Sequence, residues 1–196
     1  MPAKELLIVA GPNGSGKSTF VAAYLAERDC PYLCADAIAA QLDITDEFVR
    51  QYTAGQKFYT QAAELLAAGN DFIVETTLSG RTWRKYMQQA HELSFAVTVY
   101  FVYLDSADTC VNRVKQRVRR GGHNVPEGDI RRRYARSLTN FWTIYRKIAD
   151  HWAIVYNAGS GLVEVAFGYH EDFLVSDEAL FSRFLECVEQ AGETNG

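Results

Sequence analysis

The sequence predicts an α/β fold, a mostly parallel sheet with helices on both faces, and three observations predict it. Apolar runs rich in Val, Ile, Leu and Tyr alternate along the chain with stretches of helical periodicity. The apolar runs lack the strict in-and-out alternation of half-exposed strands, which points to strands covered on both faces. The first run breaks into glycines at 11, 14 and 16 just before a helix-forming stretch.

Each element follows from its residues. "ELLIVAG" reads as a buried strand and "KSTFVAAYLAERD" as the helix after it. "CPYLCAD" is a second strand, and residues 46–69 form a long helix with apolar residues at helical spacing. "DFIVETT" is a strand and 82–93 a helix; "FAVTVYFVYLD" is a strand favoured by its Val, Thr, Tyr and Phe content. Helices over 107–119 and 127–149 precede a late strand, "HWAIVYN". The final pair, "GLVEVAFGYHEDFLVS" and a helix over 178–191, closes one edge of the sheet. No repeat, low-complexity tract or Pro/Gly/Ser-rich linker interrupts the series, so residues 1–196 are expected to form one domain.

Composition agrees: 48% of the 196 residues are hydrophobic and 22% charged, enough for a sizeable core. No apolar stretch reaches the roughly 20 residues that span a bilayer, and the start has no export signal, so no membrane association and a cytoplasmic location are expected. Cys30 and Cys34 are spaced C-x3-C with no second pair or histidines at ligand spacing; with Cys110 and Cys187 they are expected to be reduced core thiols. The net charge of −4 conceals an asymmetry. Residues 113–136 carry nine of the twenty Lys and Arg against only Glu127 and Asp129, a local +7 that leaves the remainder at −11. Such polarity suits one focused anion site better than general nucleic-acid coating.

Gly11-Pro12-Asn13-Gly14-Ser15-Gly16-Lys17-Ser18 fits G-x-x-x-x-G-K-[ST], with an apolar strand before it and a helix after it. Glycines let successive backbone N–H groups point inward, and the helix start adds unpaired N–H groups and a positive dipole end. The loop is therefore expected to cradle the phosphates of ATP through Gly11, Asn13, Gly14, Ser15, Gly16, Lys17, Ser18 and Thr19. Lys17 would span the β- and γ-phosphates and Ser18 would hold Mg²⁺. The sequence thus reads as a P-loop NTPase fold.

In an open parallel sheet the ligand crevice lies at the carboxyl ends of the strands. Three carboxylates follow apolar runs. Asp36 is either a helix N-cap or a general base that accepts a proton from an acceptor hydroxyl. Glu75 opens "ETTLSGR", whose hydroxyls and Arg81 suit a small-molecule substrate; alternatively it is a satisfied strand-end carboxylate. Asp105 is either a magnesium-holding aspartate, which would favour a nucleotide hydrolase or switch, or a helix cap.

In a helix, Arg113, Arg117 and Arg120 fall on one face, and Arg133 pairs with Arg136 on the next helix. Gly121, Gly122 and Pro126 between them read as the hinge of a helical, arginine-rich lid over about residues 118–133. Guanidinium forks bind phosphate oxygens two at a time, so Arg117 and Arg133 are expected to stabilise the transferring charge, with Arg113, Arg120 and Arg136 on the nucleotide. A solvated basic face and an RNA-binding patch are the competing readings.

"AGPNGSGKST", the "AD" of 35–36, "ETTLSG", "RVKQRVRRGGHNVPEGDIRRRYARSLTNF" and "VYNAG" together resemble the zeta toxin-like kinases, in particular a short bacterial branch often labelled predicted ABC-type ATPase, over most of residues 5–160. The resemblance implies an ATP-dependent kinase acting on the 3′-hydroxyl of the amino sugar in UDP-N-acetylglucosamine. By position it implies Lys17 and Ser18 on ATP-Mg²⁺, Asp36 as base, Glu75 and Thr77 facing the acceptor, lid arginines on the transferring charge and Asn157 as a neighbour of the adenine. His123 is by position either a phosphate ligand or an exposed hinge residue. A small antitoxin protein is an implied partner.

Overall fold

A computed structural model describes residues 4–26 and 28–194. The order of elements is β1 (Lys4–Ala10), α1 (Lys17–Leu25), β2 (Tyr32–Cys34), α2 (Ala35–Ala40), α3 (Glu47–Ala68), β3 (Phe72–Thr76), α4 (Trp83–Glu92), β4 (Phe95–Tyr103), α5 (Ala107–Arg119) and α6 (Glu127–Asn140). A π-helical turn (Phe141–Tyr145) runs into α7 (Arg146–Ile148), followed by β5 (His151–Asn157), β6 (Leu162–Tyr169), β7 (Asp172–Val175) and α8 (Glu178–Thr194).

The seven strands lie in the order β2-β3-β1-β4-β5-β6-β7. The first five pair in parallel, and β6 and β7 add antiparallel. The fold is thus the mostly parallel α/β sheet that the apolar runs predict. Strand β1 sits between β3 and β4, so the chain leaves it toward one edge and later crosses to the other. The loops diverge at that point and open a crevice at the carboxyl end of β1, where such sheets bind ligands.

Alternate residues of β1 serve the two faces. Leu6, Ile8 and Ala10 join a large core with Phe58 and Leu66 of α3, Trp83 and Met87 of α4, Leu138 of α6 and Phe184 of α8. Phe101 stacks on Phe141 with centroids 4.3 Å apart, fastening β4 to the π turn. Leu7 and Val9 join a smaller cluster with Val21, Phe20 and Tyr24 of α1 on the opposite face.

Four details differ from the expected boundaries. Helix α1 ends at Leu25, four residues early. Strand β2 is only three residues long, and Ala35 already begins α2, so Asp36 lies in the first turn of a helix rather than at the end of a strand. "GLVEVAFGYHEDFLVS" folds into the antiparallel β6–β7 hairpin, with His170 at φ 51 in the turn. The 127–149 helix is broken in its hydrogen-bond pattern by the π turn, which shifts the helical phase by one residue.

Candidate active site

The loop from Gly11 to Gly16 leaves β1 at the crevice and ends at the start of α1. Gly11, Gly14 and Gly16 have φ of 138, 81 and 106, a region that side chains avoid. Space excludes a side chain at Gly11 as well, where a Cβ would lie 2.0 Å from the carbonyl oxygen of Val102; one at Gly16 would lie 2.3 Å from Asn157 Nδ2 and would displace that amide. Asn13 and Ser15 are buried, and the Ser15 hydroxyl has no partner among the described residues. Asn157, at the end of β5, braces the loop by donating from Nδ2 to the Ser15 carbonyl at 2.8 Å.

Lys17 is 6% exposed and donates to the Pro12 carbonyl at 3.0 Å. Its ammonium is 4.0 Å from Glu75 Oε1. Burial pushes the Lys17 pKa below the usual lysine range, opposed by the negative fields of Glu75 and then Asp36. The other Glu75 oxygen accepts from the Tyr32 hydroxyl at 2.6 Å, so β2 and the phosphate loop together fix this carboxylate. Burial, and next the hydrogen bond to Glu75, push the Tyr32 phenol upward and keep it a donor.

Asp36 is placed differently. Cys34 occupies the N-cap position of α2 and Asp36 the first turn, which removes the N-cap reading. Among the described residues Asp36 has no hydrogen bond and no cation within 4.0 Å, yet it lines one cavity of about 210 Å³ with Lys17, Ser18, Glu75, Arg113 and Arg117. Two carboxylates therefore share the cavity, one held by protein groups and one left open.

A larger cleft of about 780 Å³ adjoins this cavity through Thr19, Arg113 and Arg117 and extends past Gln116, Arg120 and Gly122 to the 157–162 turn. Arg113 Nη2 lies 3.4 Å from the Asn157 carbonyl. Arg117 donates from Nε and Nη2 to the His123 carbonyl at 3.1 and 2.8 Å, clamping the turn between α5 and α6. Arg133 reaches back to Asn13 Oδ1 at 3.5 Å and stands 3.9 Å from Asp129. The turn itself is exposed, but Val125 and Ile130 are buried, so α6 is anchored in the core from its first turn onward.

Arg136 does not join this group. It lines a separate cleft of about 410 Å³ with Ser79, Gly80, Arg81, Thr139 and Asn140. Thr77 Oγ1 bonds Ser79 Oγ at 2.9 Å and so lies between Glu75 and that second cleft. Asp105 is also turned away. Its Oδ2 accepts from Tyr156 at 2.8 Å and lies 3.5 Å from Arg183 of α8, while Ser106 caps α5. Its Oδ1 is buried without a partner among the described residues, and Asp105 is not among the residues that line the cavity of Lys17 and Asp36.

Sequence reasoning missed the supports. Tyr32 orients Glu75. Asn140 donates to the carbonyls of Leu78 at 3.0 Å and Gly80 at 3.5 Å, and Tyr145 donates to Gly80 at 2.6 Å. Residues 140 and 145 reach the same carbonyl because the π turn brings positions five apart onto one side. The available signal was an Asn amid the apolar face of a helix, since a buried amide needs partners.

The cradle fits a triphosphate: Gly14 and Gly16, both at positive φ, and the buried Lys17 ammonium line one cavity, and the Ser15 hydroxyl within the same loop is buried without a partner among the described residues. For a metal the fit is partial. Among the described residues no three His, Cys, Asp or Glu side chains converge. Mg²⁺, however, commonly takes one or two carboxylates together with phosphate oxygens and water, and the exposed Ser18 hydroxyl beside Asp36 and Glu75 suits that habit. The four cysteines are free thiols, and burial raises the Cys110 pKa to about 12. No described helix is long and apolar enough to cross a membrane.

Known proteins share this fold. A chain of the AvrRxo1-ORF1:-ORF2 complex with ATP superposes with a TM-score of 0.71 at 18% identity, covering 93% of this chain; this chain spans 63% of the length of that one. A chain from the PezAT chromosomal toxin-antitoxin system of Streptococcus pneumoniae gives 0.64 at 12% identity, covering 99% of this chain and 88% of that one. A putative kinase from Chloroflexus aurantiacus gives 0.55 at 25% identity over 68% of this chain and 80% of its own. In sequence, an uncharacterized protein of Haemophilus influenzae is 28% identical over 130 residues, 66% of this chain and 92% of that protein. The architecture is that of the P-loop NTPases in a kinase-like form. Residues 6–137 match the AAA domain family, and the chain belongs to it.

Proposed function

We propose that the protein is an ATP-dependent small-molecule kinase that transfers the γ-phosphoryl group to a sugar hydroxyl, with UDP-N-acetylglucosamine the first acceptor to test. One observation carries this reading: the unpartnered Asp36 carboxylate shares a cavity with Lys17 and Ser18. In this scheme the loop amides and Lys17 hold the phosphates, and Asp36 accepts the proton as the acceptor oxygen bonds to the γ-phosphorus and the bond to the ADP oxygen breaks. Glu75, fixed by Tyr32, keeps Lys17 on the phosphate side and faces the acceptor with Thr77. Arg117, in the wall of the same cavity, and Arg133, which reaches Asn13 of the loop, supply positive charge, and Arg113, Arg120 and Asn157 border the adjoining cleft that would take the nucleoside. Mg²⁺, when bound, neutralises developing phosphate charge.

Asp105 speaks against the hydrolase alternative, because its bonds to Tyr156 and Arg183 leave the phosphate cavity without that metal ligand. The kinase-like fold and the resemblance to zeta toxin-like kinases support the acceptor choice. The occurrence of two similar chains in a two-protein complex and in a toxin-antitoxin system supports a small antitoxin as partner. The test is a screen of nucleotide sugars, sugars and nucleosides with γ-labelled ATP and Mg²⁺, using Lys17→Ala as blank. Label on an acceptor is the expected result, and label only in free phosphate would overturn the reading.

A further inference from the structure

Asn157 stands where three parts of the chain meet. Its Nδ2 donates to the Ser15 carbonyl of the phosphate loop at 2.8 Å, its Oδ1 accepts from the Gly159 N–H at 3.0 Å, and its own carbonyl lies 3.4 Å from Arg113 Nη2 of α5. It is the last residue of β5 and pairs with Leu162 of β6, while the Ala158 N–H closes the turn between them onto the Gly161 carbonyl at 3.0 Å. Both polar atoms of the side chain are thus committed to backbone groups, and the amide packs directly against Gly16, in the space that a Cβ there would enter.

The bond to Ser15 also sets a direction. In a trans peptide the C=O of one residue and the N–H of the next point in opposite directions, and no peptide bond among the described residues is cis. Holding the Ser15 carbonyl on Asn157 therefore turns the Gly16 N–H away from Asn157. Gly16 lines the cavity of Lys17 and Asp36, which Asn157 does not border. No acceptor among the described residues takes up the Gly16 N–H. A peptide beside glycine turns over readily because glycine populates φ of either sign, and Gly16 sits at φ 106. Turned over, this peptide would present a carbonyl oxygen to the phosphates in place of a donor, and the cradle would lose one of its amides.

We infer that Asn157 is a positioning residue for the phosphates: by holding the Ser15 carbonyl outside the cradle it aims the Gly16 N–H at the polyphosphate, and it contributes to nucleotide affinity through the phosphates rather than through the base. The inference rests on the nucleotide-binding part of the kinase reading and deepens it, moving Asn157 from the adenine to the loop.

The experiment measures, by calorimetry, the binding of the magnesium complexes of ATP, GTP and inorganic tripolyphosphate, which has no base, to wild type and to Asn157→Ala. Losses of about three- to tenfold, equal for all three, are expected. A loss confined to ATP, with tripolyphosphate unaffected, would make Asn157 a base reader and overturn the inference, as would unchanged affinity for all three. A second measurement does not depend on the folding of a variant: in wild type the Gly16 amide resonance should move downfield by NMR as magnesium tripolyphosphate is titrated in. A Gly16 resonance that tripolyphosphate leaves unmoved refutes the inference. Neither measurement needs turnover, so a protein that binds tripolyphosphate through Gly16 yet phosphorylates no acceptor loses the kinase reading and keeps this one.

Discussion

The ammonium of Lys17 lies 4.0 Å from Oε1 of Glu75, both nearly buried, while the same ammonium donates to the Pro12 carbonyl. The lysine is thus held charged against the cost of burial by one carboxylate and one carbonyl, and burial still lowers its pKa. A polyphosphate would add negative charge and raise that pKa again. Nucleotide binding should therefore take up protons at alkaline pH, and affinity should fall as pH rises through the lowered pKa of the free protein. Calorimetry in buffers of different ionisation enthalpy measures the uptake; Lys17→Met should abolish it. The same linkage acts on stability. The unfolded chain binds more protons than the folded one between the lowered value and 10.5, so Lys17 contributes stability that rises with pH across that window.

Asp36 and Glu75 should separate kinetically. Asp36→Asn removes the open carboxylate and is expected to lower kcat by about 10²- to 10⁴-fold with nucleotide affinity nearly unchanged. Glu75→Gln leaves Lys17 without its counter-charge, so its nucleotide affinity should change as well. Equal activity of Asp36→Asn and wild type in the labelled-ATP assay would take Asp36 out of the mechanism.

Gly11→Ala should be the most damaging small change in the loop. The new Cβ would meet the backbone oxygen of Val102 in the central strand β4, which cannot swing away as a side chain could. Positive φ adds strain, so a stability loss of at least about 2 kcal/mol is expected by denaturant titration. Gly80→Ala, where a Cβ meets nothing within 4 Å, is the matched control.

Asn140→Ala should act at a distance. It leaves the buried Leu78 carbonyl without its partner and releases a loop already strained at Leu78, costing about 1–3 kcal/mol. Because that loop joins Glu75 to Arg81, the acceptor KM should rise while KM for ATP holds. A variant that melts lower but shows unaltered acceptor kinetics would assign Asn140 to stability alone.

Local sequence was sufficient wherever a local rule applies. The apolar runs made strands because no other element buries so many β-branched and aromatic residues on both faces, and the glycine spacing made the phosphate loop because only glycine adopts its backbone. Lys17, Ser18 and the loop were therefore legible in one stretch of ten residues. Long-range geometry was not. Whether Asp36 caps a helix or opens on a cavity depended on where α2 starts, one residue before it. That Glu75 is tied by Tyr32, that Asp105 turns to α8 and that Arg136 stands with Arg81 rather than with Arg133 required knowing which elements pack together. Helical periodicity gives the face of a side chain, but its partner is set by the sheet order and by a π turn that shifts the phase of everything after Asn140. Chain chemistry thus determined the glycine turn and the lysine that follow the first strand, and tertiary packing alone decided which of the charged groups around them remain unpaired.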